Sequence, residues 1–257
     1  MNRTIISRVL RLSNRTLGLS NSKPSLLTGG ATATSSGYQL TPLFFPLASK
    51  CCYSSNVRVR SYLQYIKRKI QPPSCPPYNH VCQVGDPVLR SQAADVDPAT
   101  ISSPEVQGVI KTMVKVMRRL ECVGLSAPQV GVPLRIVALE YPVKMMEESS
   151  PASREARGLS VQPLRIFVNP TLRVLDGRTV LFQEACESIS GFSATVPRYL
   201  SVEVSGLNEN AEPVSWQVSG WPARIIQHEM DHLDGLLYLD RMDSKTFINI
   251  KWQTHNE

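Results

Sequence analysis

The first 85 residues contain no aspartate or glutamate, although 11 lysines and arginines fall there. From Asp86 onward 17 basic side chains face all 21 acids, so the net charge of +7 on the 257-residue chain conceals a body near −4. A mildly acidic body offers no electrostatic footprint for a phosphate backbone, which argues against direct nucleic-acid binding. Six cysteines, at positions 51, 52, 75, 82, 122 and 186, form no CxxC zinc pattern and no short secreted disulfide scaffold. Long apolar runs are missing as well: Leu43 to Ala48 contains Pro46 and is too short to span a bilayer, so no membrane span is expected. Internal repeats are absent. Histidine is scarce, with four in the chain.

The acid-free, Arg-containing, Ser-rich beginning has the composition of an organelle transit peptide. Wound at 100° per residue, Arg8, Arg11 and Arg15 share one face and Ile5, Ile6, Val9, Leu10 and Leu17 the other. Arginines interrupt the apolar stretches, unlike the core of a secretory signal. The Ser/Thr-rich tract from Ser20 to Ser36 would also suit a plastid address. Residues 1–70 are therefore assigned to a transit peptide and extension. A Pro-rich linker follows at residues 71–78 (QPPSCPPY), and a single catalytic domain at 79–257.

Within that domain, Ser103-Pro104-Glu105 reads as a helix start, with Val106, Val109, Ile110, Met113, Val116, Met117 and Leu120 at helical spacing after it. Strand-like runs follow at Arg135–Leu139, Arg165–Val168, Thr171–Leu175, Thr179–Phe182, Ser201–Ser205 and Pro213–Val218. Several are separated by turn signals such as Asp176-Gly177. Val143 to Leu164 is polar and reads as a surface loop insertion, part of it helical. Trp221 to Leu233 is a second helix ended by Gly235. The expectation is an α+β fold, antiparallel β-sheets packed around this central helix.

That helix carries His228-Glu229-Met230-Asp231-His232. Histidines at i and i+4 lie on one face, where two imidazoles can share a metal and Glu229 can reach a water on it. The pattern needs a third ligand. A metzincin would place histidine where this chain has Tyr238, and no glutamate follows Glu229 except Glu257, so the ligand must come from upstream. Cys186, in Glu184-Ala185-Cys186-Glu187-Ser188, is the candidate. His80 and His255 lack partners at ligand spacing and read as surface residues.

Three segments in order resemble peptide deformylases. Cys122 to Gln129 (CVGLSAPQ) is similar to the family's GxGxAAPQ motif, Glu184 to Ser188 to EGCLS, and Gln227 to His232 to QHExDH. The likeness extends over about Asn79 to Met242 and is closer to mitochondrial, animal-type members than to bacterial ones. It departs at Cys122, Ser126, Ala185 and Glu187. The resemblance implies one divalent metal per subunit on Cys186, His228 and His232, with zinc, iron(II) or cobalt all suited to the set. It implies Glu229 as general base and acid, and the Gln129 amide with the Glu187 N–H as oxyanion donors. Val123, Gly124, Phe182, Ala185, Trp221 and Ile225 would bind substrate. The implied partners are N-formyl-methionyl nascent peptides in the mitochondrial matrix, a plastid being the second choice, and the implied assembly is a homodimer. Two other readings stay open: another HExxH hydrolase cutting internal peptide bonds, and a catalytically silent module that keeps the fold.

Overall fold

The computed structural model describes residues 74–255 together with Ile66. The transit-peptide pattern, Cys51 and Cys52 lie outside the described residues. Tyr78, assigned to the end of the linker, donates its N–H to Val130 O at 2.8 Å and packs against Gly131.

Helix α1 (Pro104–Leu120) starts where Ser103 accepts the Val106 N–H at 3.3 Å and Pro104 occupies a position that needs no N–H. Of its expected stripe, Val106, Val109, Ile110, Met113, Val116 and Met117 are buried and Leu120, at the helix end, is half-buried. Burying each such side chain stabilises the fold by about 1.5–3 kcal/mol. After β1 (Gly124–Ser126) a tight turn at Ala127–Val130 leads to β2 (Ile136–Tyr141), α2 (Val143–Glu147), α3 (Pro151–Arg157), β3 (Gln162–Ala185), β4 (Phe192–Leu207), β5 (Pro213–Ser219), α4 (Trp221–Leu233) and β6 (Ile248–Asn249). The strands form one antiparallel six-stranded sheet in the order β1-β2-β3-β4-β5, with β6 also on β4. The α+β expectation holds. Among the described residues no helix is long and apolar enough to cross a membrane.

Alternation along the strands explains why both helices dock. Ile136, Ala138, Ile166 and Val168 face α1, whereas Val137, Leu139 and Phe167 face Ile226, Met230 and Leu233 of α4. This part of the sheet is buried on both faces, so β2 reads as a continuous apolar run.

Three of the expected short strands are one strand, β3. The pairing shifts between Val168 and Thr171, where Pro170 has no N–H and Asn169 stands at φ 50°. The Asn169 side chain exchanges two hydrogen bonds with the Val96 backbone, at 2.7 and 2.8 Å, which pins the irregularity. Asp176-Gly177 is likewise a bulge rather than a turn between strands, with Asp176 Oδ1 accepting the Arg178 N–H.

The helical part expected in Val143–Leu164 makes up most of it, as α2 and α3, and the segment is more than a surface insertion because Ser149, Arg157 and Leu159 in it are buried. Ser150 caps α3, and Gly158 ends it against Gly220, where a Cβ on Gly220 would stand 2.7 Å from Gly158 O. Trp221 N–H then donates to Gly158 O at 3.3 Å, so the insert is fastened to the start of α4.

Candidate metal centre

Between β6 and β5 the outer edge of β4, from Ala194 to Leu200, has no partner strand; Thr246 Oγ1 and Asp243 N–H meet the Thr195 backbone, and α4 supplies further hydrogen bonds through side chains. Gln227 accepts the Tyr199 N–H at 3.0 Å and donates to Tyr199 O at 2.9 Å, while Arg224 donates to Val196 O at 2.8 Å. Pro197 is tolerated in this stretch because its outer side makes no ladder bond. The clasp fixes α4 along the sheet, with its next residue, His228, turned toward the end of β3.

Cys186 follows β3 directly. Its Sγ lies 3.3 Å from His232 Nε2, and one ligand atom each from Cys186, His228 and His232 fall within 4.8 Å of one another. A tetrahedral ion with usual bond lengths separates its sulfur and nitrogen ligands by about 3.5 Å, so the donor set fits. The histidine rings are held edge to face, 5.1 Å between centroids.

Glu184, two residues before the thiol, accepts from His228 Nδ1 at 3.0 Å. A second bond of this kind fixes the ring and its tautomer. Arg198 binds both Glu184 oxygens at 2.9 Å and Arg224 binds one at 2.8 Å. Burial works against the Glu184 charge, but His228 and Arg198 outweigh it and hold the carboxyl well below its ordinary range. Arg198 also pairs with Asp231 of α4, which Arg241 grips on both oxygens. Residues in and around the HExxH turn are thus tied to β3 and β4 by a buried ionic network.

Gln129 enters from the β1–β2 connection. Its Oε1 accepts from Ser126 N and Oγ at 2.9 and 3.1 Å, which turns Nε2 toward Ser188 Oγ at 3.2 Å and Cys186 Sγ at 3.5 Å. Glu229 is 4% exposed and its Oε2 has no hydrogen-bond partner. Burial pushes its carboxyl up to about 7, the Glu184 charge adding to it against the opposing pull of His228. Gly124 leaves room for that carboxylate: a Cβ there would stand 2.5 Å from Glu229 Oε1.

Gly124, Gln129, Glu184, Cys186, His228 and Glu229 line an open cleft together with Cys122, Val123, Ala185, Glu187, Trp221 and Ile225, while His232 lies buried behind it. Of the residues expected at the site, Phe182 stands apart from this lining, one layer out, its ring edge-on to Trp221 at 6.1 Å. Burial pushes the half-buried Glu187 carboxyl up. The sequence reading missed Glu184 as a positioning group, Arg198, Arg224 and Asp231 as its network, and Arg157, which also lines the cleft. Glu184 lies within a quoted motif, and that was the available signal.

The family model described as Polypeptide deformylase matches residues 78–247. The chain belongs to the peptide deformylase family. It is 54% identical over 198 residues to mitochondrial peptide deformylase of Homo sapiens, covering 77% of this chain and 82% of that one. It is 42% identical over 171 residues to chloroplastic peptide deformylase 1A of Solanum lycopersicum, covering 66% and 62%. A deformylase structure from Synechococcus elongatus, in complex with actinonin, superposes with a TM-score of 0.55 at 30% identity, covering 71% of this chain and 89% of that one. A Met-Ala-Ser-bound deformylase structure from Acinetobacter baumannii gives 0.56 at 28%, covering 63% and 96%. Deformylases are metallo-hydrolases that remove the N-formyl group from nascent polypeptides, and this chain is an enzyme of that family. The departures from the family motifs leave the Cys186–His228–His232 cluster intact.

Proposed function

We propose that this deformylase hydrolyses the formyl amide of N-formyl-methionyl nascent peptides in the mitochondrial matrix, with Cys186, His228 and His232 holding one divalent ion. The observation that carries the reading is the cluster of Cys186, His228 and His232, of which Cys186 and His228 line the same cleft as a buried Glu229. Bound there, zinc, iron(II) or cobalt would supply Lewis acidity toward a water and the formyl oxygen.

Glu229 takes a proton from the attacking water and delivers it to the amine nitrogen as the C–N bond breaks, so formate and a free N-terminus leave. A carboxyl raised toward neutrality by burial suits a group that both accepts and returns a proton. Gln129 Nε2, oriented through Ser126, and the Glu187 N–H donate to the oxygen that gains charge. Val123, Ile225 and Trp221 give the methionine side chain an apolar wall.

Formate release from formyl-Met-Ala-Ser by the metal-loaded full chain tests this. One formate per Met-Ala-Ser is expected, with unformylated peptides uncut. Cleavage of internal peptide bonds would transfer the protein to another hydrolase class. Cys186→Ser should lose bound metal and activity together, and retention of stoichiometric metal would refute the ligand set.

Mitochondrial import is supported by the mitochondrial relative and the acid-free first 85 residues. Removing residues 1–60 should abolish import into isolated mitochondria, and import of the shortened chain would refute it. The homodimer carried by family resemblance is checked by light scattering.

A further inference from the structure

The cleft holds a cation without a counter-ion. Arg157, the last residue of α3, is 5% exposed, and its guanidinium has no hydrogen bond or ion pair among the described residues. Its Nη1 is fully buried and unpartnered. The group lies instead over the Trp221 ring at 4.7 Å and the Phe182 ring at 5.2 Å. The charged group facing it is Arg224, another cation over the same two rings, whose donors are already taken by Glu184, Val196 O and Val180 O. Burial, and then the Arg224 charge, work against the Arg157 cation, and the Tyr141 hydroxyl nearby gives the smaller, opposing effect. Two ring faces return less than it costs to bury an unpaired charge. Nor does α3 need this side chain for its own end, since Gly158 closes the helix with its N–H on the Arg154 and Glu155 carbonyls.

We propose that Arg157 donates a hydrogen bond to an acceptor at the far end of the substrate's first side chain, and that the cleft therefore takes N-formyl-methionine sulfoxide peptides as a second substrate class. The inference rests on the deformylase reading of the site. Placement agrees with it. Arg157 lines the same cleft as His228 and Glu229, and Trp221, under the guanidinium, lies about two turns before His228 on α4. A methionine sulfur lies five bonds from the formyl carbon, so the end of this side chain is the part of the substrate that extends away from His228 along the cleft. A thioether is a weak acceptor, whereas oxidation makes the side chain polar and gives the guanidinium an oxygen to bind. The apolar wall of Val123, Ile225 and Trp221 still covers the methylene stem.

The test compares formyl-norleucine-Ala-Ser, formyl-Met-Ala-Ser and formyl-methionine-sulfoxide-Ala-Ser with the metal-loaded full chain and its Arg157→Met variant. Replacing the guanidinium should lower kcat/KM on the sulfoxide peptide about ten-fold or more, the usual effect of losing a charged hydrogen bond, chiefly through KM. On the norleucine peptide, which has no acceptor, the change should stay within about three-fold. Arg157→Lys should recover part of the sulfoxide activity. An equal loss on all three peptides would assign Arg157 a structural role, and no loss on the sulfoxide would remove it from recognition; either overturns the proposal. Calorimetry of the released peptides on the unmutated enzyme needs no variant: methionine-sulfoxide-Ala-Ser must bind tighter than norleucine-Ala-Ser, and equal or weaker binding overturns the proposal. Formate from formyl-Met-Ala-Ser but none from its sulfoxide would sink this inference alone. Formate from none of the three would sink the deformylase reading with it.

Discussion

Gly124→Ala separates what the fold needs from what the reaction needs. The added methyl would stand 2.5 Å from Glu229 Oε1 and 2.8 Å from Ile225 Cγ2. Ordinary contact between carbon atoms begins near 3.5 Å, so the carboxylate and the isoleucine must each retreat by about 0.7–1 Å. Both are side-chain ends that can rotate, which puts the stability loss at the low end for overpacking, about 1 kcal/mol. For catalysis the same displacement is severe, because a misplacement of about 1 Å costs on the order of 10²-fold in rate. The variant should therefore melt within a few degrees of the parent and keep its metal, yet release formate from formyl-Met-Ala-Ser at least ten-fold more slowly, mainly in kcat. Turnover within three-fold of the parent in the fully metallated variant would refute the placement of Glu229 beside Gly124.

Two further outcomes follow from the network and the cleft. Glu184→Gln takes away the carboxylate paired with Arg224 and one of the two paired with Arg198, so it should lower unfolding stability by about 3 kcal/mol and metal affinity by 10–100-fold; a urea midpoint shift worth under 1 kcal/mol would refute the network's role. Glu187→Leu removes a half-buried carboxylate that lines the cleft and, under the proposed mechanism, would stand beside developing negative charge, so it should raise kcat/KM several-fold at unchanged metal content. Unchanged or lower kcat/KM would show that this side chain does not face the reaction.

The HExxH turn was legible because its pattern is local: two histidines fall on one helical face with a glutamate beside them whatever surrounds them. Both helices were legible for a similar reason, with caps and stripes read from consecutive residues. The length of β3 was not, since Asn169-Pro170 and Asp176-Gly177 carry turn chemistry that tertiary pairing uses as bulges. Phe192 to Leu200 was not read as strand. Pro197 argues locally against one, and the segment's outer backbone groups are met from far along the chain, by Gln227 and Arg224 of a helix and by Asp243 and Thr246 beyond it. Arg157 gave no signal at all: it sits in a polar stretch without a motif, and its position depends on the fastening of Gly158 to Gly220. Glu184 stood in plain view within a motif, but its grip on His228 depends on Arg198 and Arg224, 14 and 40 residues away.

The central claim is that one metal centre on Cys186, His228 and His232 works with Glu229 as the proton carrier. Single-turnover formate release from formyl-Met-Ala-Ser, measured with metal content on the parent chain and on Glu229→Gln, addresses it directly. Both proteins should bind one metal per chain, and the variant should release formate about 10²-fold or more slowly. Near-normal release by a fully metallated Glu229→Gln enzyme would contradict the account.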